Sequence, residues 1–119
     1  MPGEENKAVF RRGVELWASG DLSKIDEVVD AQYIGHVAAG DRDREGLKAR
    51  ITAFRNIFPD VVFTIQDQLA EGDQVASRLT ARGTYQASCT PTTLIGMNIS
   101  RIASGKIVEE WATWETLST

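Results

Sequence analysis

Glu115 stands four residues after Trp111 and directly after Trp114, in the stretch GKIVEEWATWETL. The alternation there is that of a β-strand. It puts Ile107, Glu109, Trp111, Thr113 and Glu115 on one face and Val108, Glu110, Ala112, Trp114 and Thr116 on the other. Burial against indole rings disfavours the charged form of a carboxylate and raises its pKa towards neutrality. Such a group can take a proton from a carbon next to a carbonyl and return it elsewhere, as aldol closure and isomerisation require. His36 is the one histidine, and an ordinary pKa of ~6.5 makes it a natural second proton carrier or oxyanion donor. The competing readings are a solvated glutamate on an exposed strand and a hydrogen-bonded structural histidine.

Other residues fall around this pair. Arg78 and Arg101 lie on expected central strands, where an unpaired cation is costly. Each either pairs with Glu109, Glu110 or Asp73, or binds a substrate carboxylate or phenolate through its guanidinium. Trp17, Phe54, Phe58, Trp111 and Trp114 are core residues by default. Glu110 points away from Trp111 and Glu115 on a regular strand, which assigns it to a surface or dimer contact. Cys89 sits in an expected loop with no histidine at motif spacing and is not read as a nucleophile. One histidine and one cysteine do not make an ordinary zinc site. With no glycine-rich nucleotide cradle or G-x-S-x-G elbow either, the expectation is a protein without metal or organic cofactor.

These groups have to be positioned by one domain, spanning 1–119. The apolar fraction of 42% and charged fraction of 25% are those of a globular chain. A net charge of −4 without a Lys/Arg cluster disfavours nucleic acid. A single cysteine, no apolar leader and no bilayer-length apolar run set the expectation of a cytoplasmic protein without a membrane partner. Helical spacing runs from Glu4 to Ala18 and ends at Gly20. Ser23, with Asp26 three residues on, is the expected cap of a short second helix. Leu47, Ile51, Phe54 and Phe58 mark a third helix, capped by Asp43 and stopped by Pro59. QYIGHV reads as a short strand or extended link. DVVFTIQDQLA, QVASRLTARGTY, IGMNISRI and KIVEEWATWETL read as strands, with turns at EGD and ASGK and a loop at QASCTPTTL. About four strands and three helices make an α+β fold, a curved antiparallel sheet wrapped around the helices as a cone with a deep apolar pocket.

GDLSKIDEVVDAQYIGH, FRNIFPDVVFTIQDQLAEGDQVASRLTARGTY and ISRIASGKIVEEW resemble the SnoaL-like polyketide cyclases of the nuclear transport factor 2-like and ketosteroid-isomerase-like superfamily. The likeness runs from about Phe10 to Thr116. It implies the conical α+β fold, pairing of two copies through the outer face of the sheet, and a polyketide-like or other polycyclic, enolisable small-molecule substrate. It further implies aldol cyclisation, isomerisation or dehydration without cofactor, with Glu115 as base and His36 as its polar partner. The family's pocket wall would then take up Trp17, Phe54, Phe58 and Trp111, with Tyr33 near His36, and Arg78 and Arg101 as anion binders. Three departures stand out: glutamate at 115 where the family has aspartate, Glu110 where histidine is common, and a shorter segment between Tyr85 and Met97. They keep a second function in view, a non-catalytic binding or dimerisation domain on the same fold. An epoxide-opening hydrolase ranks last, since no aspartate pair flanks either arginine.

Overall fold

The computed structural model describes residues 2–117; Met1, Thr119 and Ser118, the ends of the expected domain, lie outside them. The order is α1 (Pro2–Ser19), α2 (Ile25–Val28), β1 (Val29–Val37), β2 (Gly40–Arg42), α3 (Arg44–Ile57), β3 (Val62–Glu71), β4 (Gln74–Tyr85), β5 (Thr90–Ala103) and β6 (Lys106–Leu117). Six strands form one curved, unclosed sheet in the order β2-β1-β6-β5-β4-β3, with α1 and α3 on its concave side.

The long helices form as their apolar spacing dictates. α1 buries Val9, Phe10, Gly13 and Leu16. Gly13 is needed for the close approach, because a Cβ there would stand 2.9 Å from Ile107 Cδ1 on β6. The amide of Gly20 closes the helix on the Leu16 carbonyl. α3 buries Leu47 and Ile51, and the Asp43 carboxylate accepts from the Gly46 amide at its start. Pro59 follows immediately after its C-cap, Phe58.

Four expectations are corrected. The sheet is not wholly antiparallel: β1 runs parallel to β6, which a connection through β2 and the rest of the chain permits. There are six strands rather than about four, since β1 runs nine residues and β2 folds back on it. α2 begins at Ile25 with Lys24 at its N-cap and no side-chain cap, and the Ser23 amide, which a capping box would offer to Asp26, donates to Asp21. QASCTPTTL is not one loop: β5 begins at Thr90 and pairs with Tyr85, so only residues 86–89 turn, with Cys89 in a left-handed conformation. The turn at Ser104 and Gly105 has positive φ at both residues, the geometry that favours glycine in a tight hairpin.

The main core joins Val9, Phe10 and Leu16 of α1 to Leu47 and Ile51 of α3, and to Val75, Leu79, Ile102 and Ile107 of the sheet. Ile51 has no exposed surface. Ile51→Ala is expected to cost about 2–5 kcal/mol in urea unfolding, the range for a large-to-small core truncation. Leu69→Ala on the outer face, where 73% of the residue is exposed, should shift stability by under about 0.5 kcal/mol.

Candidate active site

The register of β6 decides which side chains share a surface. Ile107 pairs with Ile102 and Glu109 with Arg101, so Val108 has no partner and forms a bulge. Beyond it, Glu110, Ala112 and Trp114 join Ile107 on the concave face and line a cavity of about 270 Å³. Tyr33, Gly35 and Val37 of β1 line it from one side, and Phe10, Trp17, Phe54 and Phe58 of the helices cover it. Phe54 holds the aromatic wall together, with Trp17 at 5.5 Å, Phe58 at 5.3 Å and Phe63 at 5.9 Å between ring centroids.

Glu110 is the carboxylate of this cavity, contrary to its expected place on the surface. Oε1 accepts from the Tyr33 hydroxyl at 2.9 Å. Oε2 lies 2.7 Å from Ser100 Oγ and accepts from Asn98 Nδ2 at 3.2 Å. Burial pushes the Glu110 carboxyl up, and the hydrogen bonds from Ser100, Tyr33 and Asn98 offset that only in part. Burial is also the leading cause that raises the Tyr33 phenol, with the neighbouring Glu110 charge second. Ser100 Oγ stands 2.7 Å from Asn98 Oδ1 as well. With a single proton, its hydroxyl donates to an ionised Glu110. When Oε2 is protonated, the hydroxyl accepts and turns its proton to Asn98. Among the described residues only the protonated arrangement satisfies every member, because beside an ionised Glu110 the single Ser100 proton leaves Asn98 Oδ1 without a donor. Oε1, with one partner, keeps a lone pair for the cavity.

Tyr33, Trp17, Phe54 and Phe58 of the sequence-predicted site meet at the cavity. Glu115, His36, Trp111, Arg78 and Arg101 do not. Glu115 is exposed and borders a groove on the other side of the sheet with Arg78, Ile95, Met97 and Thr113. His36 donates or accepts at both ring nitrogens, with Nδ1 2.9 Å from Asp41 and Nε2 2.8 Å from Glu109. Those two carboxylates raise its pKa, Glu109 first. Its ring stacks on Trp111 at 5.2 Å. Arg101 pairs with Glu109 at 2.6 Å and with Asp73 at 3.6 Å, and Arg78 Nε reaches Asp67 at 2.8 Å. The arginines that do line the cavity, Arg42 and Arg50, were not singled out by the sequence pattern. Their signal was available only as two cations on neighbouring elements, β2 and α3. Glu110 carried a plainer one: it shares its face with Ala112 and Trp114 by simple alternation.

Among the described residues no cluster of three or more His, Cys, Asp or Glu side chains could hold a metal ion, and no helix is long and apolar enough to cross a membrane. The chemistry the cavity itself offers is a proton acceptor, a phenol donor and two guanidiniums against an apolar wall.

The model of the SnoaL-like polyketide cyclases matches residues 7–119. A loop-truncation variant of IdmH is 32% identical, with 92% of each chain covered and a TM-score of 0.83. Wild-type IdmH, called "a putative polyketide cyclase from Streptomyces antibioticus", is 29% identical over 92% of this chain and 91% of its own, with a TM-score of 0.85. A Bacillus cereus protein, also called a "putative polyketide cyclase", is 27% identical over 93% of this chain and 74% of its own, with a TM-score of 0.84. No curated protein matches. A family match over nearly the whole length, on a cavity-bearing fold of the same shape, means that this chain belongs to the SnoaL-like polyketide cyclase family.

Proposed function

We propose that the chain is an acid/base enzyme acting on a polyketide-like or other polycyclic, enolisable small molecule, with Glu110 as the proton-transferring group and Tyr33 as its hydrogen-bonding partner. The observation that carries this reading is the Glu110 carboxyl inside an apolar cavity, hydrogen-bonded on both oxygens yet pushed above the ordinary carboxylate range. The role first expected of Glu115 and His36 passes to this pair because only Glu110 and Tyr33 face the cavity. Ionised Glu110 takes the proton alpha to a carbonyl at Oε1. The electron pair moves to the carbonyl oxygen, and the Tyr33 hydroxyl, released from Oε1 as that oxygen is neutralised, turns its one proton to the developing charge. The enolate carbon then attacks a second carbonyl of the same molecule, or is reprotonated at another position, and Glu110 gives its proton back. Water is held off by Trp17, Phe54 and Phe58.

Two copies of the chain pair through the convex face in this reading. Met97 at 59% exposure, Ile99 at 43% and Ile95 at 38% lie there on β5 beside Trp111. A contiguous apolar strip of this kind marks an interface more often than free surface.

A non-catalytic binding domain makes the opposite forecast for exchange chemistry. In deuterated water, the wild type should wash deuterium into the alpha position of a bound polycyclic ketone. Glu110→Gln should slow that exchange about 100- to 10,000-fold, and Tyr33→Phe about 100-fold. Binding without any exchange, or full exchange in Glu110→Gln, would assign the cavity to storage or the base to another residue. The pH dependence has a definite sign. The working base is the ionised form, so the acid limb of kcat/KM should lie above the ordinary ~4.3 of a glutamate, and Glu110→Gln should lack it. Stability runs the other way. The folded chain holds a proton that the unfolded chain releases, so this contribution is full below the unfolded pKa and lost as pH rises through the folded one.

The paired state is tested by light scattering. Wild type should weigh as a dimer at micromolar concentration, and Met97→Glu should weigh as a monomer while keeping its exchange activity. A wild-type monomer would remove the proposed pairing.

A further inference from the structure

Arg42 and Arg50 are cations of the cavity lining, and among the described residues neither has an acid as partner. Arg42 comes from β2, and Arg50 from the second half of α3; both line the cavity wall. Elsewhere on the fold the arginines near carboxylates are paired: Arg44 with Asp26, Arg78 with Asp67, Arg101 with Glu109 and Asp73. Among the described residues neither Arg42 nor Arg50 has an ion pair, and the buried Nε of Arg42 has no hydrogen-bond partner at all. An unsatisfied buried donor is costly to a fold and asks for an explanation. Arg50 lies over the Trp17 ring, 5.7 Å from its centroid, which fixes the guanidinium against the aromatic wall. Burial and the neighbouring charge of Arg42 both press its pKa down, as two like charges in a poorly solvated place require. Both arginines also act on Tyr33, in the direction opposite to Glu110. Tyr33 thus stands between the proton-transferring end of the cavity and a cationic end.

We propose that Arg42 and Arg50 form an anion subsite, and that the ligand of this cavity is an apolar ring system bearing a free carboxylate, not its ester or amide. This deepens the acid/base reading and rests on it for the identity of the site. A permanent anion is the better match than the transient enolate. The developing charge already has a neutral donor in Tyr33, whereas two standing cations without counter-ion are offset only by a charge that is present from the moment of binding. A carboxylate takes paired N–H donors from guanidinium in a planar fork, the match for two cations without counter-ions. Its ring body would lie along Trp17, Phe54 and Phe58, and would reach from the arginines towards Glu110.

Binding alone tests the subsite, by quenching of tryptophan fluorescence with naphthoate, its methyl ester and its amide as probes. Wild type should bind naphthoate about tenfold or more tighter than the ester, with the preference shrinking as salt rises. Arg50→Gln and Arg42→Gln should each lose that preference while binding the ester as well as wild type does, which also reports that they fold. Arg50→Lys should keep part of it. Equal binding of acid and ester by the wild type, no binding of the acid, or a preference intact in both glutamine variants would overturn the proposal. Should either glutamine variant fail to bind the ester, the Arg50→Lys protein decides, an undiminished acid preference counting against the subsite. Glu110→Gln separates the two readings: it should keep the carboxylate preference although its exchange chemistry is lost.

Discussion

Val108 has no partner on β5, and from that one unpaired residue the two surfaces of the sheet take their character. Without the bulge, strict alternation would put Ile107 and Glu110 on opposite faces. With it, Ile107 anchors in the core against α1 and three residues later Glu110 enters the same concave side. The anchor is tight, since Gly13 leaves no room for a Cβ above Ile107. The position of Glu110 is therefore set by core packing at the start of the strand, not by its own affinity for an apolar place. β1 answers with an irregularity of its own between Val29 and Ile34, which brings the Tyr33 hydroxyl to Glu110.

The two faces handle charge in different ways. On the convex side the ionic groups neutralise one another: His36 sits between Asp41 and Glu109, Glu109 also holds Arg101, and Arg101 reaches Asp73. Trp111 is sandwiched in this network, with His36 stacked on it and Arg101 5.5 Å from its centroid. Exposed pairs of this kind contribute little to stability. On the concave side, among the described residues, Glu110 meets neutral donors and the cations meet no acid. Polar groups so placed are costly to the fold, and they persist where function requires them.

The two long helices and most of the last four strands were legible because each depends on local pattern: apolar steps of three and four on α3, the Asp43 cap, and the positive-φ turn at Gly105. What could not be read was register. Period-two alternation labels two faces but does not say which is concave, and a single bulge moves every later residue relative to Ile107. Trp111 and Trp114 are of one residue type, yet Trp111 stacks on His36 outside and Trp114 lines the cavity. Hydrophobicity gave equal grounds for either face. Placing Glu115 beside the tryptophans was right as adjacency, but the desolvated cavity position expected of it is not found, since the residue is exposed on the convex side. The parallel pairing of β1 with β6 lies deeper still, since it joins segments more than 70 residues apart through a surface neither encodes alone.

The site residues that pattern did not reveal share a physical trait: each contradicts its local rule. Glu110 is a charged residue type on the core-facing side of a strand. Arg42 and Arg50 are cations without counter-ions beside an aromatic wall. Local consistency is what lets a sequence specify a fold, and the places where it fails are the candidates for binding or chemistry. The Ser100 hydroxyl makes this quantitative in kind. Fully buried, it has one proton for two acceptors, Glu110 Oε2 and Asn98 Oδ1, so the two charge states of the carboxyl are not equally satisfied.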